Sequence, residues 1–250
     1  LKTFSFGRKD IHIFNEIDST NDRPYKLADN SAPEGTIVIA ESQSSGKGRS
    51  GRKWISIPGQ SLSFSIILKP EIDIAKTPGL TLVIAVALSD TLHHFGVHTH
   101  KIKWPNDILI NNRKIAGILT EMKAMSGKIV FIISGIGINT GSVLNELPEN
   151  LKSAASSILD ETGIVIDRTG FLQTLLQMME IRYNEFVQSG LENILKDWKE
   201  NSDLIGKKIS FILDRQRIEG DVKAINDDGS LNIETGSGTL SFNSGEITIL

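Results

Sequence analysis

The residues best suited to chemistry lie in one short loop, from Gly46 to Trp54. Its first eight residues, Gly46-Lys47-Gly48-Arg49-Ser50-Gly51-Arg52-Lys53, hold four cations and three glycines, and Ser42–Pro70 contains no acidic residue. Glycine lets the backbone approach a ligand closely, and arginine can bind phosphate through two parallel hydrogen bonds. Trp54 adds a flat aromatic face. This combination predicts a site for a nucleoside triphosphate or another polyanion.

Composition alone leaves a second interpretation of this loop about equally open. A basic loop is often a solvated surface feature or a contact for nucleic acid. The P-loop spacing G-x-x-x-x-G-K-[ST] is missing. Gly46, Gly48 and Gly51 are not followed by the βαβ unit of a dinucleotide-binding site, because a strand is predicted on each side of the loop.

The elements that must position this loop can be predicted from hydrophobic spacing. Leu62, Phe64 and Ile66 alternate with serines, which predicts a half-buried strand. Apolar runs predict further strands at Ile11–Phe14, Thr36–Glu41 and Ile129–Ser134. Helical spacing predicts helices over Pro78–Phe95, Thr169–Val187 and Leu191–Trp198.

Two local signals add a helix start and a hairpin. Asp18 or Ser19 is expected to cap a helix that runs towards Ala28, with Pro24 confined to its first turn or to a kink. Asn tolerates the positive φ of a two-residue turn, so Asn111-Asn112 predicts a tight hairpin. Its strands are expected at Asp107–Ile110 and Arg113–Thr120.

The pattern changes near Ser202. From Gly206 to the C-terminus, short alternating segments are separated by turns at Asp214-Arg215-Gln216, Asn226-Asp227-Asp228-Gly229, Thr235-Gly236-Ser237-Gly238 and Asn243-Ser244-Gly245. Five strands in roughly 45 residues predict a small β-barrel. The expected fold class is therefore α+β, with a larger domain of strands and helices over residues 1–200 and the barrel over residues 203–250.

Composition excludes several classes of function. The chain has 250 residues and no cysteine, which removes disulfides, thiolate catalysis and cysteine-bound zinc. The net charge is −3 and the pI about 6.0, whereas a dedicated DNA-binding protein is usually basic. The longest apolar run, Leu80–Leu88, is too short to cross a bilayer, and the first residues lack a signal core. We therefore expect a cytoplasmic protein that binds neither membranes nor DNA.

Five motifs occur along the chain in a defined order. They are Asp18-Ser19-Thr20-Asn21, Gln43 with the Gly46–Trp54 loop, Lys103-Trp104-Pro105-Asn106-Asp107, Arg113-Lys114-Ile115-Ala116-Gly117-Ile118-Leu119-Thr120-Glu121, and Gly135-Ile136-Gly137-Ile138-Asn139. This order resembles that of the biotin–protein ligases, which also carry a small C-terminal β-domain. The resemblance implies that residues 1–200 form a mixed-sheet catalytic domain of the biotin/lipoate ligase type and residues 203–250 an SH3-like β-barrel. The resemblance implies a ligase that forms biotinyl-5′-AMP from biotin and ATP with Mg²⁺. It then transfers biotin to a lysine of the biotin carboxyl-carrier domain of a biotin-dependent carboxylase.

The resemblance also implies roles for individual residues. The catalytic residues would be Lys114, Arg49 and Asp107. The biotin contacts would be Ser19, Thr20, Gln43, Gly46, Lys47, Arg49, Lys114, Gly117 and Gly135. The contacts to ATP and the adenylate would be Arg49, Arg52, Trp54, Lys103, Asn106 and Asn139. No residue is assigned as a metal ligand, and a homodimer is one of the oligomeric states that the resemblance allows.

Structural roles remain open beside several of these assignments. Lys114 could be an ordinary strand lysine, Ser19 a helix cap and Trp54 a core residue. Asn139 could belong to a turn, and Gly117 or Gly135 to a bulge or turn. A lipoate–protein ligase and a non-enzymatic nucleic-acid-binding protein are the competing functions.

The chain departs from the family pattern at two places. Lys47 replaces the family's usual first arginine, which keeps the charge but loses the planar fork. Asp22-Arg23-Pro24 is unusual directly after Ser-Thr-Asn. Only 17 residues precede Asp18, too few for the winged-helix DNA-binding domain that some relatives carry. The chain is therefore expected to be of the monofunctional type.

Overall fold

The computed structural model describes residues 2–213, 216–243 and 245–250. Seven strands and five helices occupy the first 200 residues: β1 (Ile11–Ile17), α1 (Asp22–Asp29), β2 (Ile37–Gln43), β3 (Ser61–Leu68), α2 (Gly79–His94), β4 (His100–Lys103), β5 (Asp107–Ile110), β6 (Arg113–Met125), β7 (Lys128–Asn139), α3 (Ile158–Thr162), α4 (Arg168–Ser189) and α5 (Glu192–Glu200). The strands form one sheet in the order β1-β2-β3-β7-β6-β5-β4. β1 and β2 are parallel and the other neighbours antiparallel, so the sheet is mixed, as predicted.

The predicted elements are present, with bounds that differ by a few residues. The strand expected at Ile129–Ser134 continues through the glycine motif to Asn139 as β7. The short elements β4 and α3 were not predicted, because four or five residues carry too little periodicity to be recognised. The hairpin prediction is confirmed: Asn111 and Asn112 have φ of 49° and 63°, and Ile110 pairs with Arg113.

The prediction that β3 is half-buried is wrong, because all eight of its residues are buried. The period-2 alternation is nevertheless real. Leu62, Phe64 and Ile66 belong to the main core. The serines point to the opposite face, where the Ser65 hydroxyl donates to Asn21 Oδ1 at 2.7 Å. The polar face of the strand therefore looks onto other protein groups instead of solvent.

The first helix begins later than its predicted caps. α1 starts at Asp22, and Asn21 stands at the cap position without a side-chain capping bond. The Ser19 hydroxyl accepts from the Asn21 N–H at 3.2 Å, and Asp18 Oδ1 accepts from the Ser19 N–H at 2.8 Å. These groups stabilise the turn between β1 and the helix, so neither caps the helix. Pro24 lies in the first turn, as expected.

The main core lies on one face of the sheet. α2 packs between the strands and α4, and 12 of its 16 residues are buried. Because the helix is covered on nearly all sides, its own sequence is apolar on nearly all sides. α5 packs against the same helix. The opposite face of the sheet is covered only in part, by α1 over β2, β3 and β7. This asymmetry leaves room for a cleft above β6 and β7.

Residues after 204 form a second, antiparallel sheet of five strands, in agreement with the predicted small β-domain. The strands are β8 (Lys208–Leu213), β9 (Gln216–Ile225), β10 (Leu231–Thr235), β11 (Gly238–Phe242) and β12 (Ile247–Ile249), in the order β11-β10-β9-β8-β12. The expected turns at residues 226–229 and 235–238 are present. The other two involve Asp214, Arg215 and Ser244, which lie outside the described residues.

The two sheets share one continuous hydrophobic core. Trp104, between β4 and β5, donates from its indole N–H to the Gly229 carbonyl at 3.0 Å, and its ring lies 5.7 Å from that of Phe242. In the described part of the chain, no helix is long and apolar enough to cross a membrane.

Candidate active site

The floor of the site is a stretch of sheet in which Gly117, Gly135 and Gly137 present no side chain. Register places Ser63, Gly137, Gly117 and Asp107 in one row across β3, β7, β6 and β5. A Cβ at Gly137 would lie 2.3 Å from Cε2 of Trp54, so the indole rests directly on the backbone there. Glycine is required at this position because no side chain fits beneath the ring.

The ammonium group of Lys114 stands above this row. Its Nζ lies 2.6 Å from Asp107 Oδ1 and 5.9 Å from the centre of the Trp54 ring. A Cβ at Gly117 would approach Lys114 Nζ to 2.8 Å, so this glycine leaves the space that the ammonium occupies. Lys114 is one-third exposed, so its ammonium group can leave Asp107 and pair with an anionic substrate instead.

A short segment holds the backbone of Lys114 in place. The Lys114 N–H donates to the Ala154 carbonyl and the Ser156 N–H donates to the Lys114 carbonyl, both at 2.9 Å. Asn139 Nδ2 donates to the Ser156 carbonyl at 2.9 Å, and Asn139 Oδ1 accepts from Ser61 Oγ at 3.1 Å. We call residues 154–156 the strap. It fixes both backbone polar groups of Lys114, which limits the positions that its side chain can reach.

Polar side chains line the opposite end of the cleft. Gln43 Oε1 accepts from both the N–H and the hydroxyl of Thr20, at 2.8 and 3.1 Å. The buried Asn21 donates to Glu121 Oε2 at 2.7 Å. A Cβ at Gly135 would lie 1.9 Å from Asn21 Oδ1, so Asn21 also lies directly on the sheet. These contacts fix amide and hydroxyl groups around a space suited to a small polar ring.

The basic loop forms a small hairpin over the cleft. The Gly48 N–H donates to the Arg52 carbonyl at 2.7 Å, and the Trp54 N–H donates to the Gly46 carbonyl at 2.9 Å. At its tip, Ser50 has a φ of 55° and Gly51 a φ of 74°. The loop is therefore an ordered element with its own hydrogen bonds.

Three cations of the loop contact three different parts of the protein. Arg49 Nη1 donates to Asn106 Oδ1 at 3.2 Å, and burial lowers the pKa of its guanidinium while the charge of Asp107 opposes that shift. Arg52 pairs with Glu246 of the C-terminal sheet. Lys47 pairs with Asp22 at the start of α1.

Most of the residues predicted to form the site surround one space. A cleft of about 410 Å³, including its open mouth, is lined by Ser19, Thr20, Gln43, Lys47, Trp54, Asn106, Lys114, Gly117 and Gly135. Gly46, Arg49 and Arg52 line the adjoining space under the loop. Asp107 reaches the cleft through its ion pair with Lys114.

Two predicted residues lie outside the walls of these spaces. Lys103 ends β4 opposite Asp107, two strands beyond Gly117. Asn139 is buried, and its amide is engaged by Ser61 and the strap. Nothing in these contacts brings either residue to the cleft.

Several residues of the site had no role in the sequence-based assignment, and three of them shape its geometry. Asn21 and Gly137 line the cleft, and Glu121 lies under the loop. All three fall inside the five motifs, so their position in the motif was the available signal. Their neighbours across the sheet, which define what each one does, are distant in sequence. Among the described residues, no cluster of three or more acidic or histidine side chains could hold a metal ion.

Comparison with known proteins agrees with this geometry. Residues 13–139 match the Biotin/lipoate A/B protein ligase family, and residues 204–250 match the Biotin protein ligase C terminal domain. The chain is 38% identical over 249 residues to the Bifunctional ligase/repressor BirA of Bacillus subtilis, covering 100% of this chain and 76% of the relative. It is 26% identical to the Biotin--[acetyl-CoA-carboxylase] ligase of Mycobacterium tuberculosis, covering 98% and 90%.

A solved structure shares the whole architecture. Biotin protein ligase from Aquifex aeolicus, in complex with biotin and ATP, superposes with a TM-score of 0.81 at 27% identity, covering 97% of this chain and 99% of that one. The superposition therefore spans both sheets of this chain. The chain belongs to the Biotin/lipoate A/B protein ligase family.

Proposed function

We propose that this protein activates biotin with ATP and transfers it to a lysine of a biotin carboxyl-carrier domain. The observation that carries the proposal is the position of Lys114, whose ammonium stands over a side-chain-free floor in a cleft that the basic loop also lines. Joining a carboxylate to a triphosphate brings two anions together, which requires positive charge at the reacting atoms. The site provides that charge.

Biotin is a better substrate for this site than lipoate. The family that matches residues 13–139 includes ligases for both acids. The C-terminal match is a biotin protein ligase domain, and two of the relatives are named biotin--[acetyl-CoA-carboxylase] ligases. The amide and hydroxyl groups of Thr20 and Gln43 suit the ureido ring of biotin, which offers both donors and an acceptor. The third candidate function, nucleic-acid binding without catalysis, does not account for the polar end of the cleft at Thr20 and Gln43.

In the first step, a biotin carboxylate oxygen attacks the α-phosphorus of ATP and the bond to the β-phosphate breaks, releasing pyrophosphate. Lys114 would hold the carboxylate against the α-phosphate, and Arg49 would stabilise the charge that develops there. The acceptor amine then attacks the anhydride carbonyl, AMP leaves, and an amide forms. Asp107 would orient the incoming amine or accept its proton, since it lies beside Lys114.

The remaining residues divide between the two ends of the cleft. The proposed biotin end contains Ser19, Thr20, Gln43, Gly46, Lys47, Gly117 and Gly135, to which we add Asn21. The proposed adenylate end contains Arg52, Trp54 and Asn106, with Trp54 excluding water from the reactive anhydride. Lys103 and Asn139 stay in the proposal only if they move towards ATP when it binds.

Several further expectations belong to the same proposal. Mg²⁺ would arrive with the phosphates of ATP, and we name no protein ligand for it. A domain boundary between residues 200 and 203, a cytoplasmic location, the absence of DNA binding and a homodimer also remain predictions.

The test is biotin-dependent exchange of pyrophosphate into ATP, measured in parallel with lipoate. We expect exchange with biotin, none with Lys114→Ala, and normal exchange with Lys128→Ala, an exposed lysine at the start of β7. Circular dichroism should show that both variants fold. Exchange that requires lipoate, or native rates in Lys114→Ala, would refute the proposal.

A further inference from the structure

The contact between Lys47 and Asp22 joins the two places where this chain departs from the pattern of its family. Lys47 stands on the first strand of the loop hairpin, directly opposite Lys53. Asp22 is the first residue of α1. The pair therefore ties the near side of the loop to a helix that packs on the main sheet.

The surroundings of Lys47 are acidic. The hydrogen bond to Asp22 raises the pKa of Lys47, and the charges of Glu121 and Asp18 act in the same direction. Both members of the pair are partly exposed, at 43% for Lys47 and 34% for Asp22. The charge of Lys47 is thus already balanced by the protein before any anion enters the cleft.

At its base, the loop is held by the N–H groups of residues 44 and 45, which donate to carbonyls at and just after the end of β1. The neighbours of Lys47 are Gly46 and Gly48, which have no side chains to pack. The hydrogen bonds of the hairpin connect the loop to itself. The contact with Asp22 is therefore what fixes the first strand of the hairpin, while Arg49 and Arg52 hold its far side through Asn106 and Glu246.

We propose that Asp22 is a positioning residue, which anchors Lys47 and so holds the basic loop over the cleft before substrate binds. Lys47 then serves as the anchor point of the loop: Asp22 holds its ammonium group, while the residue lines the cleft. This inference rests on the proposed function, and it assigns the ammonium group of Lys47 to the anchor instead of to biotin. Asp22 acts through Lys47, and Arg49 remains the residue that reaches the reacting groups.

Hydrogen exchange of the loop amides in the ligand-free protein provides the first test. The N–H groups of Gly48 and Trp54 are protected by the hairpin, and their exchange reports its opening. We expect Asp22→Asn and Lys47→Gln each to accelerate this exchange by about two- to five-fold, the range for a partly exposed ion pair. The difference should shrink as salt is added.

A double-mutant cycle separates an anchor from a ligand contact. Asp22→Asn with Lys47→Gln should be no more open than either single variant, and the exchanged pair Asp22→Lys with Lys47→Asp should restore protection. Release of biotinyl-5′-AMP should accelerate by a similar factor in both single variants. Asp29→Asn is the matched control, since Asp29 forms an ion pair of similar exposure with Lys123 at the other end of α1.

The proposal is overturned if Asp22→Asn leaves the loop amides unchanged, or if the two substitutions act additively. It is also overturned if Lys47→Gln raises the KM for biotin while Asp22→Asn does not, because Lys47 would then contact the substrate. The two proposals can fail separately. If the wild-type protein makes no biotinyl-5′-AMP, the proposed function is refuted. If Asp22→Asn nevertheless accelerates exchange of the loop amides, the anchor role of Asp22 still holds.

Discussion

The contact between Trp54 and the backbone of Gly137 gives a sharp test of how the cleft is built. In Gly137→Ala, the new Cβ would stand 2.3 to 2.7 Å from Cε2, Cζ2 and Nε1 of the indole. Carbon atoms in contact are normally about 3.5 to 4.0 Å apart, so the ring must retreat by roughly 1 Å. The backbone of Gly137 lies between two paired strands and cannot yield instead.

Two quantities follow from that displacement. Overpacking of this kind typically lowers the free energy of unfolding by about 1 to 3 kcal/mol. A shift of about 1 Å in a group that borders the reacting atoms can reduce turnover by up to about 100-fold. Because Trp54 lies over Lys114, we expect pyrophosphate exchange to fall by about 10- to 100-fold while the protein still folds.

The assay compares Gly137→Ala with Gly236→Ala, whose added Cβ would meet no atom within 4 Å. Unfolding in urea is measured for both, and again with Trp54→Leu, which removes the ring. If the clash is the cause, Gly137→Ala should destabilise the Trp54→Leu protein much less than the native one. An equal loss of stability with and without Trp54, or native activity in Gly137→Ala, would refute the reasoning.

Two further predictions concern the strap and a buried histidine. Ser156→Pro removes the N–H that donates to the Lys114 carbonyl, whereas Ser156→Ala keeps it. Adenylation should therefore be at least about ten-fold slower in Ser156→Pro than in Ser156→Ala. Equal rates in the two variants would mean that the strap does not position Lys114. Burial lowers the pKa of His100 from 6.5 to about 4, so the unfolded chain binds more protons between these values and stability is lost as pH falls. From pH 7 to pH 5, the free energy of unfolding measured in urea should fall by about 2 kcal/mol more in the native protein than in His100→Gln. His98→Gln, which changes an exposed histidine, should behave like the native protein. Equal falls in the native protein and in His100→Gln would contradict this prediction.

Local chemistry made much of the fold predictable from the sequence. The Asn111-Asn112 turn requires positive φ at both residues, and asparagine tolerates it, so the hairpin follows from two residues. The apolar run of α2 is long enough to indicate a buried helix without reference to anything else. The motifs of the site could be located for the same reason, since each occupies a few consecutive residues.

The sequence could not reveal which groups meet across the sheet. The serines of β3 show the expected alternation, but only α1 and Asn21, which pack over them, decide that this face is buried. Asn139 likewise sits in a motif associated with ligand binding, while its amide is engaged by Ser61 and the strap. Partners distant along the chain determine these roles, and no local pattern encodes them.

At Gly117, Gly135 and Gly137, which form the floor, a substitution can only add atoms. These positions contribute empty space to the site, and replacing glycine with any other residue adds at least a Cβ. Large-to-small changes elsewhere in a protein can be compensated by neighbours that move inwards, whereas here the neighbours are Lys114, Asn21 and Trp54, which the site needs where they are. Variation in this part of the chain is therefore expected to accumulate around the floor and not within it.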